Sequence, residues 1–495
     1  MEAAAVKAAR VARSSLAAAA PCPAVSGGVF VFFAALVAGA LVSASWMSAS
    51  AGLQVTPITT AATPTVAHDA ATGPEPAPGP PRFAGAGTTS TNQTPSAAAP
   101  PPRELPPAPS PAAGASAPRE CPAYFRWIHE DLRPWRATGV TLDAVERARR
   151  YAAKFRVTVV AGRLYVARYG RCFQTRDVFT QWGIVQLLRR YPGRVPDLDL
   201  MFDCEDRPVV AAADRHQAQP PPPLFRYCGS EATLDIAFPD WSFWGWPELN
   251  IKPWEALRRE IEEGNAMVNW TDRAPYAYWK GNPNVGAGRR FLLRCNVSGK
   301  RDWNARIYAQ IYIEGRGWSV SEKYILACDS VALMVRPRFH DFFSRGLAPL
   351  RHYWPVRDAG RGAAMCRSIK FAVDWGNAHT DKAQEMGRNA SRFVREDLTM
   401  DRVYDYMLHL LTEYARLLRY RPAVPRGAAE VTVESMARGR RGLERQFMMD
   451  TAAVADGAGG EGPCRLPPAF GAGELEELRR ARADVVRQVE AWENQ

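Results

Sequence analysis

Four clusters in this chain carry side chains able to do chemistry. Asp203, Cys204, Glu205 and Asp206 follow directly on Leu198 to Phe202, a run apolar but for Asp199. In open α/β sheets ligands bind beyond the carboxyl ends of strands. A carboxylate there can take the proton of an attacking hydroxyl within hydrogen-bond reach. The same acids can instead hold Mg²⁺ or Mn²⁺ on a diphosphate, and solvated carboxylates at a strand end are an equally frequent meaning of such a run.

The second cluster, Asp240 to Pro247, contains Trp241, Phe243, Trp244 and Trp246. Aromatic faces stack on the apolar C–H faces of sugars, and tryptophans this dense are also good core anchors. One or two of these rings are expected in a cleft and the rest in the core. In the third, Lys280, Gly281 and Asn282 follow Tyr278 and Trp279 and precede Arg289 and Arg290. Free backbone N–H groups and cations in such a loop suit phosphate oxygens, although the G-x-x-x-x-G-K-[ST] pattern is absent. The fourth is Ser319, Ser321, Glu322 and Lys323. Either serine can cap a helix whose N-terminus favours an anion, with Lys323 adding charge; a plain capped helix is the more frequent meaning.

The elements that position these clusters alternate between helix and strand. Thr141 can cap a helix carrying Leu142, Val145, Ala148 and Tyr151, and Phe155 to Val160 with Arg163 to Val166 reads as a hairpin turning at Ala161-Gly162. Thr175 can cap the next helix, with Asp177 at its start, Arg189 and Arg190 at its end and Pro192-Gly193 as its stop. Leu198 to Phe202 reads as a buried strand. Pro253 to Glu263 and Glu322 to Cys328 read as helices, and Tyr276 to Lys280 and Val331 to Val335 as extended. This pattern predicts a mostly parallel sheet with helices on both faces. Val403, Tyr406, Met407, Leu410, Leu411, Tyr414 and Leu418 recur at the 3.6-residue period of a packed helix. Beyond Arg421 the chain is rich in Ala, Gly and Arg, with one helical stretch from Glu474 to Val489.

The ends of the chain differ from its middle. No charged residue occurs from Val25 to Trp46, and this run matches the roughly 20 apolar residues of a membrane span. Lys7, Arg10 and Arg13 precede it and no Lys or Arg follows until Arg82, which keeps the N-terminus cytoplasmic by the positive-inside rule. A cleaved signal peptide is the rival, and the length of the run argues against it. Residues 47–119, dominated by Pro, Ala, Ser and Thr, read as a disordered stem. Setting aside Cys22, eight of the 9 cysteines fall in the luminal part, and disulfides are the better reading because no close C-x-x-C pair is present. Asn92, Asn269, Asn296 and Asn389 each begin an N-x-S/T sequon, of which the last three are glycosylation candidates in the folded region. The net charge of +12 suits a diphosphate or an acidic glycan; no nucleic-acid-binding motif accompanies it.

The order of the clusters resembles one family. Cys121-Pro-Ala-Tyr-Phe, Asp206-Arg-Pro, Trp241-Ser-Phe-Trp, Tyr278-Trp-Lys-Gly-Asn, the block from Ser321 to Ser330, and Asp401 with Tyr404 are similar to the Rumi-like protein O-glucosyltransferases of glycosyltransferase family 90, over roughly Cys121 to Tyr420. Plant members look closest. The resemblance implies a GT-B architecture of two facing Rossmann-like domains, an inverting mechanism without a metal or other cofactor, and UDP-glucose or UDP-xylose as donor. It implies Asp206 as catalytic base and places Lys280, Ser321 and Lys323 beside the donor; the loop and cap readings above add Gly281, Asn282 and Glu322 at the donor, and the aromatic reading sets Trp241, Phe243, Trp244 and Trp246 against sugar or acceptor. Lys280 and Ser321 stand where animal members have basic residues, and Glu205 and Arg207 depart from their pattern around the aspartate.

The expected organisation is a cytoplasmic tail (1–24), a signal anchor (25–46), the stem (47–119), a catalytic domain (120–425) and a peripheral tail (426–495). Within the catalytic domain the halves are 120–275 and 276–400, with a closing helix at 401–420. The expected setting is the Golgi or endoplasmic-reticulum membrane, with a protein or polysaccharide acceptor. The alternatives are a metal-dependent transferase using Asp203 with Glu205 or Asp206, and a luminal glycan-binding protein without catalysis.

Overall fold

The structure, a computed structural model, describes residues 119–495 apart from 152, 214–218, 274–276, 296–308, 359–362 and 453–461. The apolar run 25–46, the stem as far as residue 118 and Asn296 lie outside the described residues. No described helix is long and apolar enough to cross a membrane.

The strands are β1 (Phe155–Val160), β2 (Arg163–Arg168), β3 (Leu198–Phe202), β4 (Leu224–Arg226), β5 (Gly229–Ser230), β6 (Ile236–Ala237), β7 (Ala309–Tyr312), β8 (Val331–Val335), β9 (Phe339–His340), β10 (Trp354–Val356) and β11 (Ala429–Val431). The helices used below are α1 (Leu142–Ala148), α2 (Arg176–Arg190), α3 (Trp254–Met267), α4 (Glu322–Leu326), α5 (Ala363–Ala378), α6 (Thr380–Asp397), α7 (Met400–Leu417) and α8 (Glu474–Trp492).

The architecture is mixed α/β. A six-stranded sheet runs β11-β2-β1-β3-β4-β6, a three-stranded sheet runs β10-β8-β7, and β5 pairs with β9. The large sheet is not mostly parallel as expected. Its β11, β2, β1 and β3 pair antiparallel, and only β3, β4 and β6 run parallel. The reason is local: Ala161 and Gly162 have φ of 49° and 73°, the left-handed pair of a two-residue hairpin turn, and so short a connection forces antiparallel pairing. The small sheet is wholly parallel. Of the expected extended run Tyr276 to Lys280, Tyr276 lies outside the described residues and residues 277–280 form no strand; Tyr278 makes a parallel bridge to Gln310.

β3 is buried along its whole length, as expected for a strand covered on both faces. α2 and α7 pack on the large sheet. Gly183 of α2 lets the Trp244 ring approach so closely that an added Cβ would sit 2.4 Å from it. A second core gathers Ile311, Leu333 and Trp354 from the small sheet with Ile369 of α5 and Met386 of α6.

The C-terminal segment is not peripheral. β11 extends the large sheet along β2, Phe447 and Met448 are buried in the main core, and Val489 of α8 is buried in the second. Cys464 closes a disulfide to Cys121 across a separation of 343 residues. Low local hydrophobicity hid these contacts, each of which is made with a segment far away in sequence. The bridge stabilises chiefly by restricting the unfolded chain. Replacing Cys121 and Cys464 together by serine should lower the unfolding free energy by about 2–4 kcal/mol, read from the denaturant midpoint; an unshifted midpoint would mean the tail is held by packing alone.

Candidate functional site

Because β3, β4 and β6 run parallel, their carboxyl ends share one edge, and the loops leaving them bring Asp206, Cys228 and Trp241 together. The loop after β7 meets this edge, enclosing a cleft of about 500 Å³. Asp206, Trp241, Trp246, Lys280, Gly281, Asn282 and Ser321 line it, together with Arg176, Glu205 and Arg289. Seven of the eleven expected catalytic, donor and stacking residues are thus collected in one place.

Asp206 keeps its side chain 34% exposed toward the cleft. Arg176 Nη1 donates to its Oδ1 at 2.8 Å and to the Cys204 carbonyl at 3.0 Å. The same guanidinium lies 4.4 Å from the Trp241 ring centroid. One carboxylate oxygen is therefore fixed, and no described residue bonds Oδ2. Of the neighbouring acids, Glu205 also lines the cleft and pairs with Lys154 at 3.7 Å, whereas buried Asp203 pairs with Arg226. Asp203 is thereby held on Arg226 and does not line the cleft. Among the described residues the one cluster with metal-like spacing is Cys121, His409 and Cys464, whose sulfurs are joined as a disulfide.

Opposing Asp206, Arg289 donates to the carbonyls of Ile313 and Glu314 and to Ser319 Oγ, each at 3.1 Å. Burial lowers its pKa, but a guanidinium remains charged in proteins, and Arg289 is a fixed cation in the cleft wall. Lys280 is exposed at the rim. Asn282 Oδ1 accepts from the Asn284 N–H at 2.9 Å, holding the turn after Gly281.

The profile of glycosyl transferase family 90 matches residues 116–310 and 309–493. The chain belongs to glycosyl transferase family 90. It is 26% identical over 335 residues to the O-glucosyltransferase rumi homolog of Aedes aegypti, covering 61% of this chain and 79% of the relative. It is 23% identical over 342 residues to O-glucosyltransferase rumi of Drosophila melanogaster, with coverage of 61% and 78%. To Protein O-glucosyltransferase 1 of Homo sapiens the identity is 24% over 338 residues, with coverage of 61% and 82%. Membership makes this chain a glycosyltransferase.

In this family 90 chain four of the expected site residues do not reach the cleft. Phe243 and Trp244 are fully buried; Trp244 Nε1 donates to Tyr404 OH at 2.9 Å, so both rings are core rather than stacking platforms. Glu322 is buried and faces Asp341 and Tyr312, and burial raises its pKa well above the usual carboxylate range. Lys323 is 1% exposed, and its Nζ donates to Ser242 Oγ at 2.7 Å and Asp240 Oδ2 at 3.4 Å. Burial pulls the Lys323 pKa down, but Asp240 and its other neighbours outweigh this and leave it raised. The cause is geometric: all five residues of α4 are buried, so the helix is enclosed on every side and Glu322 and Lys323 are buried with it. Ser321 stands at the N-cap without a side-chain cap bond and shares a 2.9 Å hydrogen bond with Ser319.

The eight cysteines expected to form disulfides include a free one, Cys228, since its surroundings offer it a carbonyl and no second sulfur. Arg176 escaped sequence reading because it looks like an ordinary first-turn helix residue, whereas Arg289 was visible beside Arg290, which lies outside the cleft. Of the glycosylation candidates, Asn269 is exposed, with Nδ2 donating to Asp272 at 3.0 Å. Asn389 is half-buried within α6, and the Ser391 hydroxyl of its sequon donates to Asp329 at 3.0 Å.

Two outcomes test this geometry. Lys323→Met leaves Asp240 buried without its cation and should destabilise the fold by about 3–5 kcal/mol, while the rise in melting temperature on adding UDP is retained; loss of that rise with stability intact would return Lys323 to the cleft. Burial pushes Asp235 up from 3.8 to about 6, against hydrogen bonds from Val209 and Val210 and the charge of Arg226. A carboxyl whose folded pKa lies above its unfolded value contributes stability that is fully present below the unfolded value and lost as pH rises through the folded one. Asp235→Asn, which cannot ionise, should flatten the fall in melting temperature between about pH 4 and 7; an unaltered slope would show that other groups cause it.

Proposed function

We propose that this enzyme transfers glucose or xylose from a UDP-sugar, with inversion, to a hydroxyl of a protein or glycan acceptor, and that Asp206 is the catalytic base. The observation that carries the reading is one cleft in which a partly exposed carboxylate meets the fixed cation Arg289, the exposed Lys280 and the Gly281-Asn282 turn. In the displacement, the acceptor oxygen bonds the anomeric carbon as its proton passes to Asp206 Oδ2. The bond from that carbon to the β-phosphate oxygen breaks, and UDP departs with the electron pair. Arg289, Lys280 and backbone N–H groups meet the charge that develops on the diphosphate. Trp246, half-buried at the cleft, offers aromatic surface to the sugar, and Trp241, only 1% exposed, backs it from beneath at a centroid distance of 4.9 Å.

Support for a UDP-glucose-like donor and a protein acceptor comes from the relatives' names, O-glucosyltransferase rumi and Protein O-glucosyltransferase 1. A GT-B arrangement accords with two sheets whose strand ends border one cleft. A single-pass type II anchor at 25–46 in the Golgi or endoplasmic-reticulum membrane accords with the charge-free run and the basic residues before it.

Asp206→Asn keeps size and polarity and removes the base. Turnover of UDP-glucose or UDP-xylose should fall by about 10²-fold or more, with UDP-induced thermal stabilisation retained. Turnover at the unsubstituted rate would take Asp206 out of the mechanism.

A further inference from the structure

Asp206 can act as a base only if its main chain is held still, and residues from two separate segments converge on its carbonyl. Cys228, just beyond β4, is 1% exposed, and its thiol donates to the Asp206 carbonyl oxygen at an S···O distance of 3.3 Å. The backbone N–H of Trp318, in the loop after β7, donates to the same sulfur. Gly317 completes the contact: a Cβ added there would lie 1.8 Å from the Asp206 carbonyl oxygen and 3.5 Å from Cys228 Sγ. Arg207 Nε also donates to the Arg316 carbonyl at 2.9 Å. The base-bearing loop of the large sheet and the cleft-lining loop of the small sheet therefore meet through one sulfur and one missing side chain.

We infer that Cys228 and Gly317 form a positioning lock for the catalytic base, the thiol bridging the Asp206 carbonyl to the Trp318 N–H and the glycine allowing the two loops to close upon it. This rests on Asp206 being the base. A thiol suits the place because it both donates and accepts while filling the space of a small hydrophobe. Burial pushes its pKa up, so it keeps the proton it donates. Neither residue touches substrate; each acts by fixing where the Asp206 carboxylate stands relative to the anomeric carbon. Displacement of a reacting group by about 1 Å can cost on the order of 10² in rate.

The test is acceptor-independent hydrolysis of UDP-glucose and UDP-xylose by the purified protein, in which water takes the place of the acceptor hydroxyl. Cys228→Ala should lower kcat about tenfold and Gly317→Ala by up to about 10²-fold, with KM for the donor and the UDP-induced thermal shift unchanged. Cys228→Ser, which retains a donor and an acceptor, should recover most of the lost kcat. Should Gly317→Ala fail to fold, the Cys228 pair decides. An unimpaired kcat in Cys228→Ala, no recovery in Cys228→Ser, or a loss of kcat accompanied by a weakened UDP shift overturns the inference. The parent reading fails separately: hydrolysis by Asp206→Asn at the unsubstituted rate shows that the base lies elsewhere. An inactive Asp206→Asn beside an unimpaired Cys228→Ala refutes the lock alone.

Discussion

A charge buried beneath the cleft governs the path of the chain around it. Arg226, at the end of β4, is 1% exposed and paired with both Asp203 and Asp235. Each partner belongs to a different strand connection: Asp203 ends the β3 side, and Asp235 leads into β6. The Asp235 oxygens also accept the N–H groups of Val209 and Val210 at 2.9 Å. A buried ion pair adds little net stability over apolar residues of the same shape, but removing one partner is costly. What the triad contributes is therefore a path. The chain from Asp203 to Val210 must leave β3 so that both carboxylates reach one guanidinium, and that path presents Asp206 to the cleft.

A second buried pair does the same for the aromatic wall. Lys323 reaches from α4 to Asp240 and Ser242, pinning the turn at which the Trp241 to Trp246 run begins. Trp241 then sits between the Arg176 guanidinium and Trp246, whose ring centroid is 4.9 Å away, while Trp246 is fixed through Nε1 to Gln174. Arg176 joins both systems, since it holds Asp206 on one side and stacks on Trp241 on the other. The carboxylate and the aromatic wall are thereby set at one spacing. In the proposed mechanism this spacing matters, because a base that drifts from the aromatic wall loses its line to the anomeric carbon.

Much of this was legible along the chain wherever the signal is local. β3 and β8 fall where Leu198 to Phe202 and Val331 to Val335 predict them, because a strand covered on both faces is largely apolar; Asp199, the exception in β3, is buried against Arg156. The hairpin turn at Ala161-Gly162, the Thr141 cap, whose Oγ1 accepts from the Ala144 N–H at 3.2 Å, and the helix bearing Tyr406, Leu410 and Tyr414 follow equally from nearest neighbours. The acids after β3 could be placed at a strand's carboxyl end for the same reason, and the order of motifs carried the family.

What only the tertiary structure decided are choices among chemically equivalent residues. Asp203 and Asp206 differ in fate because one finds Arg226 and the other Arg176, neither of them near in sequence. Lys280 and Lys323 read alike in the chain, yet one is exposed at the cleft and the other is buried on Asp240. Four aromatic residues in one run were divided between cleft and core by Gly183 and Tyr404, which leave room and a hydrogen-bond partner for Trp244 inside. Cys228 and Cys464 differ only in whether a second sulfur comes within reach. Periodicity and composition determine which faces must leave water, since that depends on the residue itself; the partner each buried group meets is set by chain packing across hundreds of residues, and no local pattern encodes it.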